Sequence, residues 1–225
     1  MSRPCVIRDL GRMSYGEALA IQLELAGERK QGLGTDHLLF VEHPHVVTIG
    51  RNGKESNILA PMATLQRLGI EVFETDRGGD VTYHGPGQIV AYPVMDLREW
   101  KRDVGLFVRG IEQTLIDALS DFGIEARRIA KLTGVWTGDE AAPAKIGAIG
   151  VHLSRWVSTH GWALNVTTDL NNFRHIVPCG LTRPVTSMQA MGVRAEAEDV
   201  KAALAERFGK IFDFEMQAEP VLTGI

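Results

Sequence analysis

Cysteine is scarce in this chain. Cys5 and Cys179 are the only two in 225 residues, too few for a disulfide framework, and neither has a neighbour at zinc-ligand spacing. Long apolar runs are missing too: the first 30 residues carry Arg3, Arg8, Asp9, Arg12, Glu17 and Glu24. With such a start neither a signal peptide nor an opening membrane span is expected, and a cytoplasmic location is the expectation. Positive charge is not in excess, with 24 Lys and Arg against 28 Asp and Glu and a formal charge of -4, so bulk electrostatics gives no case for nucleic acid. The nucleotide fingerprints are absent as well. No Lys-Ser or Lys-Thr follows the glycines around position 80, and no G-x-G-x-x-G opens a helix, which leaves phosphate cradling unsupported. Seven histidines are present, but His43 and His45 straddle Pro44 with no Cys or acidic residue to complete a set. They read as turn and surface residues, and no metal site is expected.

What is there suits a folded protein. Hydrophobic residues make up 44% and charged residues 23%, ordinary for a globular chain, and the length fits one domain over 1–225. Ser14 and Glu17 form an S-x-x-E box ahead of Ala18, Leu19, Leu23 and Ala26, which predicts a capped helix ending near Gly32. Short β-branched runs at 37–41 and 46–49 predict two strands around Pro44. Pro61 opens a second helix through Met62, Leu65 and Leu68; strands are expected at 71–75 and 89–94. From 104 to 122, Val104, Val108, Ile111, Leu115, Leu119 and Phe122 recur at three and four, and Gly123 supplies the stop. Strands are expected at 135–137, 146–153 and 162–166, and a last helix on Val200, Leu204, Phe208 and Ile211. Strands in runs, broken by a few helices without strict alternation, predict an α+β layered fold rather than a doubly wound sheet.

Three stretches carry residues suited to chemistry. The first is Arg77-Gly78-Gly79-Asp80-Val81-Thr82-Tyr83-His84-Gly85-Pro86-Gly87-Gln88, where so many glycines imply backbone lying close against a ligand or turning sharply; a plain hairpin with Tyr83 packed inside is the alternative. The second is Lys145 heading the apolar run 146–151, a place where an ammonium loses solvation and can exchange protons, unless it snorkels to water. The third pairs 159–166, which contains Thr159-His160-Gly161, with Pro178-Cys179-Gly180, a thiol held on a tight turn. A thiol serves as a nucleophile once a base or cation stabilises its thiolate, and Lys145, His84, His152, His160 and His175 all qualify by type.

In this order these stretches, with Lys145-Ile-Gly-Ala-Ile-Gly150 and Leu164-Asn-Val166, resemble the octanoyltransferases of lipoate biosynthesis, from about Glu42-His43-Pro44 to Gly180. The resemblance implies the fold of the biotin and lipoate protein ligases, a mixed sheet with flanking helices. It implies transfer of an octanoyl group from octanoyl-acyl carrier protein to a lysine of lipoyl domains, in 2-oxoacid dehydrogenases and the glycine cleavage H protein, with no ATP, cofactor, nucleic acid or membrane involved. By motif, Cys179 resembles the acyl-thioester nucleophile and Lys145 the group that lowers its pKa. Arg77, Gly78, Gly79, Asp80, Val81, Thr82, Tyr83 and His84, with Ala148, Ile149, Gly150, Gly161, Trp162 and Ala163, would line the acyl pocket. Ile146 and Leu164 are further candidates for burying the chain, and Arg127, Arg128 and Lys131 for meeting an acidic carrier. The chain departs from the family pattern in a longer loop at 138–144 and in His45 where a second proline is common. The rival readings are an ATP-dependent lipoate or biotin protein ligase, a non-catalytic carrier-binding homologue, and a papain-like hydrolase.

Overall fold

The structure, a computed structural model, describes residues 2–177 and 183–219. Strand β1 (Arg3–Arg12) leads into helix α1 (Tyr15–Lys30), whose first turn is closed by the expected box: Ser14 Oγ accepts from the Glu17 N–H, and the Glu17 carboxylate accepts from the Ser14 N–H. Strands β2 (Asp36–Glu42) and β3 (Val46–Ile49), helix α2 (Met62–Arg67), and strands β4 (Glu71–Glu74), β5 (Val81–His84) and β6 (Gln88–Val94) follow. Helix α3 (Val104–Asp121) starts on Asp103, whose side chain accepts from the Leu106 N–H at 2.8 Å. The chain then runs through β7 (Ala126–Ile129), β8 (Leu132–Thr137), β9 (Ala144–Ser154), β10 (Val157–Asn165), helix α4 (Ala197–Phe212) and β11 (Phe214–Ala218). None of these helices is long and apolar enough to cross a membrane.

Eight strands make one mixed sheet in the order β11-β1-β2-β6-β10-β9-β8-β7, and three make a second, β4-β3-β5. In the large sheet β11, β1 and β2 run parallel, while the pairings from β2–β6 onward are antiparallel. Helices α3 and α4 cover one face, packing Phe107, Ile111, Leu115, Leu204 and Phe208 on Ile146, Trp162 and Leu164. Helix α1 covers part of the other face with Tyr15, Ala18 and Leu25 against Leu39, Val41, Val90 and Tyr92. Beside α1 the small sheet lies over that same face, with its own core of Val47, Leu65, Val81, Tyr83, Phe173 and Ile176. Every residue of β6 is buried because both of its faces are covered.

Candidate active site

The site lies between the two sheets, and small side chains make the room for it. On β9 and β10 the cross-strand pairs Ala148–Ala163 and Gly150–Gly161 sit side by side. A sheet face carrying four such residues leaves space above it that larger side chains would fill. The space is a partly open pocket, bounded also by Tyr15, Arg77, Gly79, Thr82, His84, Val90, Tyr92, Ile149, His160 and Trp162.

Arg77 fastens the small sheet over the large one. Its guanidinium is buried and donates to Thr48 Oγ1 at 3.0 Å, to Thr48 O at 2.7 Å and to Gly78 O at 3.0 Å. The following peptide docks on β9, the Gly78 N–H donating to Val151 O at 3.0 Å. Glycine is required on both sides of this contact: a Cβ on Gly50 would lie 2.5 Å from Gly79 O, and one on Gly150 would lie 2.7 Å from Gly78 O. Gly78 serves the same close approach, a Cβ there standing 3.1 Å from Val151 O, whereas Gly79 supplies a φ of +88°.

Strand β10 aims a histidine into the cavity by breaking its own ladder. β6 and β10 are paired at Trp162–Asn165 and again at the Val157–Asp96 bridge, but residues 159–161 between them form no ladder pairs with β6. His160 there has φ +56°, the left-handed region that side chains avoid. Its N–H donates to the Gln22 side chain of α1 at 2.7 Å instead of to a strand. The ring reaches Asp76 Oδ1 through Nε2 at 2.7 Å and the Tyr15 hydroxyl through Nδ1 at 3.1 Å. Burial pulls the His160 pKa below its ordinary value against the opposing pull of Asp76, whose own carboxyl is lowered through that hydrogen bond and the nearby His152. With Asp76 ionised and the ring neutral, Nε2 is the donor and Nδ1 accepts from Tyr15.

Two more histidines are fixed as neutral rings. Asn165 Nδ2 donates to Thr186 O at 2.9 Å, so Asn165 Oδ1 is free to accept from Gln88 Nε2, also at 2.9 Å. That leaves Gln88 Oε1 to accept from His84 Nδ1 at 2.8 Å. Burial, with His43 and Arg77 nearby, drives the His84 pKa down to about 3. His43 donates from Nδ1 to Met13 O at 2.8 Å and accepts the Tyr92 hydroxyl at Nε2 at 2.7 Å. His43 is fully buried, which corrects its expected place at the surface: it closes the cavity wall behind Tyr92. Because these groups satisfy one another, the wall they make offers a ligand mainly nonpolar contact.

At the other end stands Lys145, 7% exposed, with Nζ donating to Thr133 O at 3.2 Å and lying 4.8 Å over the Trp136 ring. It lines a second, smaller pocket with Gln88, Asn165 and Phe173. Thr82, Ala148 and Ala163 line both pockets, which therefore adjoin, with Lys145 bordering one and His160 the other. The segment after the candidate nucleophile is tied to this end, since the Lys145 N–H donates to Pro184 O and Lys145 O accepts the Thr186 N–H, both at 2.9 Å. Cys179 itself lies outside the described residues.

Of the residues expected in the pocket, Arg77, Gly79, Thr82, His84, Ala148, Ile149, Gly150, Gly161, Trp162 and Ala163 come together around the cavity. Gly78, Asp80, Val81 and Tyr83 do not line it. Val81 and Tyr83 point into the small sheet's core, and Asp80 holds Asn57 Nδ2 at 2.6 Å. Leu164 sits in the core under α3 and α4, on the opposite face, and Ile146 joins it there while also bordering the Lys145 cavity. Tyr15, Val90, Tyr92 and His160 complete the wall. His160 has a sequence signal in its Thr-His-Gly setting; the others have none, because an ordinary helix start and an all-buried strand look alike wherever they occur.

The lipoyl protein ligase A/B catalytic domain family matches residues 14–209. An octanoyltransferase of Solibacter usitatus (strain Ellin6076) is 62% identical over 214 residues, 95% of this chain and 96% of that protein. Among solved structures, a bi-partite lipoate protein ligase of an archaeal lipoylation system, from Thermoplasma acidophilum, has a TM-score of 0.71 at 17% identity, covering 98% of this chain and 88% of that one. A lipoate-protein ligase A bound with ATP has a TM-score of 0.70 at 18% identity, covering 98% and 90%. At such identities the two structures speak to the fold alone, and it is the mixed-sheet ligase fold expected from the sequence.

Proposed function

The chain belongs to the lipoyl protein ligase A/B catalytic domain family and is an acyltransferase akin to the octanoyltransferases; on that premise we propose that it carries an octanoyl group from acyl carrier protein to a lysine of a lipoyl domain through a thioester on Cys179. The observation that carries this reading is the pair of adjoining pockets, with Lys145 at one end and polar wall side chains that already hold partners on the protein. Together the two pockets border β9 between residues 145 and 150, about 17 Å of strand, and an extended octanoyl chain laid through both would bring its carbonyl beside the Lys145 amine. Each methylene taken out of water there contributes about 0.8 kcal/mol.

The Cys179 sulfur attacks the carrier thioester. Lys145 takes the thiol proton as the new carbon–sulfur bond forms and returns it to the carrier sulfur as the old carbon–sulfur bond breaks, so the carrier leaves as a thiol and the Lys145 amine is neutral again. The acceptor lysine's amine then attacks the enzyme thioester, giving up a proton to Lys145, and the Cys179 thiol is restored. One thioester replaces another of similar energy, and the closing amide is downhill, so the sequence of steps runs without a nucleotide. The neutral His84 and His160 stay in the wall, each already holding a partner on the protein.

The test is incubation with octanoyl-acyl carrier protein and apo lipoyl domain in the absence of ATP, followed by intact mass. The expected product is the lipoyl domain plus one octanoyl group, with a hydroxylamine-labile octanoyl adduct on the enzyme. Cys179→Ser and Lys145→Ala should each lower the rate by about a hundredfold or more. An absolute requirement for ATP, as a ligase would show, or undiminished transfer by Cys179→Ser, refutes the reading.

A further inference from the structure

We propose that Glu112 is a positioning residue for Lys145, acting through the one peptide group that joins Thr133 to Gly134. Glu112 lies inside α3 with its side chain only 8% exposed, an unusual place for a carboxylate. Its Oε1 accepts the Gly134 N–H at 3.1 Å. The carbonyl of that same peptide, Thr133 O, accepts from Lys145 Nζ at 3.2 Å. On its outer side Oε2 accepts from Arg128 Nε at 3.0 Å, and Arg128 is itself held by Arg109 O and the Gln113 side chain, each at 2.8 Å.

A peptide whose N–H donates to a carboxylate has a more strongly accepting carbonyl, because hydrogen bonds in a chain polarise one another. The chain Arg128–Glu112–peptide–Lys145 therefore draws the amine to one spot over the Trp136 ring. The peptide needs such an anchor, since the β8–β9 ladder shifts register between Val135 and Trp136, just beside it. It also lies flat against the lysine: Gly134 has φ +122°, and a Cβ on it would stand 2.7 Å from Gly147 O and 3.3 Å from Lys145 Cε. Without Glu112 the Gly134 N–H loses this acceptor, and the hold of Thr133 O on the amine weakens. Besides this chain, the described charge facing the Trp136 ring is Arg183, with Cζ 6.0 Å from its centroid.

This inference rests on Lys145 being the proton carrier proposed above, and it concerns the chemical step rather than binding. The experiment is steady-state octanoyl transfer by wild type, Glu112→Leu and Glu112→Gln, with melting temperatures recorded for each. Glu112→Leu should lower kcat by about tenfold or more while KM for the donor changes by less than about twofold. Glu112→Gln keeps an oxygen for the Gly134 N–H and should recover kcat to within about threefold of wild type. A purely structural glutamate would lower the melting temperature and leave kcat of the folded enzyme alone; that outcome overturns the proposal. If Glu112→Leu does not fold, spectra of protein labelled with 13Cε-lysine decide. The Lys145 signal, identified by its loss in Lys145→Ala, should move at fixed pH in Arg128→Met, which releases the outer side of Glu112, and stay near its wild-type place in Glu112→Gln; an unmoved signal in Arg128→Met overturns the proposal. Wild type that transfers no octanoyl group would refute the parent reading, whereas active wild type with an equally active, folded Glu112→Leu refutes this one alone.

Discussion

His160 shows how one residue's backbone can serve a cavity. A left-handed, non-glycine residue in a strand costs on the order of 1–2 kcal/mol, and here the cost is met by bonds to Gln22, Asp76 and Tyr15. The buried rings around it give the protein a pH dependence whose sign follows from burial. His84 folds with a pKa of about 3, against about 6.5 in an unfolded chain. Between those values the unfolded state binds a proton that the folded state refuses, so stability falls as pH drops, by up to about 1.4 kcal/mol per unit for this one group. His43 and His160, also lowered by burial, act in the same direction. Melting temperatures measured from pH 7 to pH 5 should therefore decline, and His84→Gln should flatten the slope. An identical slope in the variant would contradict the assigned neutral ring. The glycine-flanked, lysine and Thr-His-Gly stretches were legible in the sequence as chemistry. Their division of labour was not, because whether Tyr83 or His84 faces the cavity depends on strand register, which no local pattern states.

Among the elements, those with strong periodicity were plain in advance. The α1 box, the α3 repeat and strand β3 stand where the sequence placed them. Strands β1, β5, β7 and β11 were not foreseen, for identifiable reasons. β1 interleaves Arg3, Arg8, Asp9 and Arg12 and buries little beyond Cys5; β7 carries Arg127 and Arg128 near the sheet edge and reads as a charged loop; β5 is hidden between glycines. Charge on a strand near an edge is a device against wrong pairing, and it masks the strand from a reader of hydrophobicity. Gly161 tests the opened stretch between β6 and β10 directly. A Cβ there would stand 2.1 Å from Ala91 O and 2.7 Å from Pro93 Cδ, atoms of backbone and ring that cannot swing aside. Gly161→Ala should lower stability by about 1–3 kcal/mol, measured by denaturant midpoint; an unchanged midpoint would mean the two strands separate more readily than their register implies.

For the molecule as a whole, the two adjoining pockets exist because the small sheet lies over one face of the large one and small residues floor the gap. Ala148, half-buried and common to both pockets, stands where the proposed acyl chain would cross from one to the other. Ala148→Leu should cut octanoyl transfer by about tenfold or more while a butyryl donor is served nearly as before, because each methylene denied burial forfeits about 0.8 kcal/mol. Equal loss for both donors would place the acyl chain elsewhere. The α+β layering was readable from the order of elements, but the second sheet was not, since β3, β4 and β5 are four residues each and gain their identity only from the face they cover.

The parallel pairing of β1 with β11 has a consequence during synthesis. Cys5 is matched with Met216, partners more than two hundred positions apart, so a ribosome has made almost all of this sequence before that rim of the sheet can close. Until then the emerging polypeptide shows an unmated strand to its surroundings. Contacts this distant in order slow a two-state search, and messages cut short before the codons for β11 should yield protein that clumps or is degraded rather than a weaker enzyme.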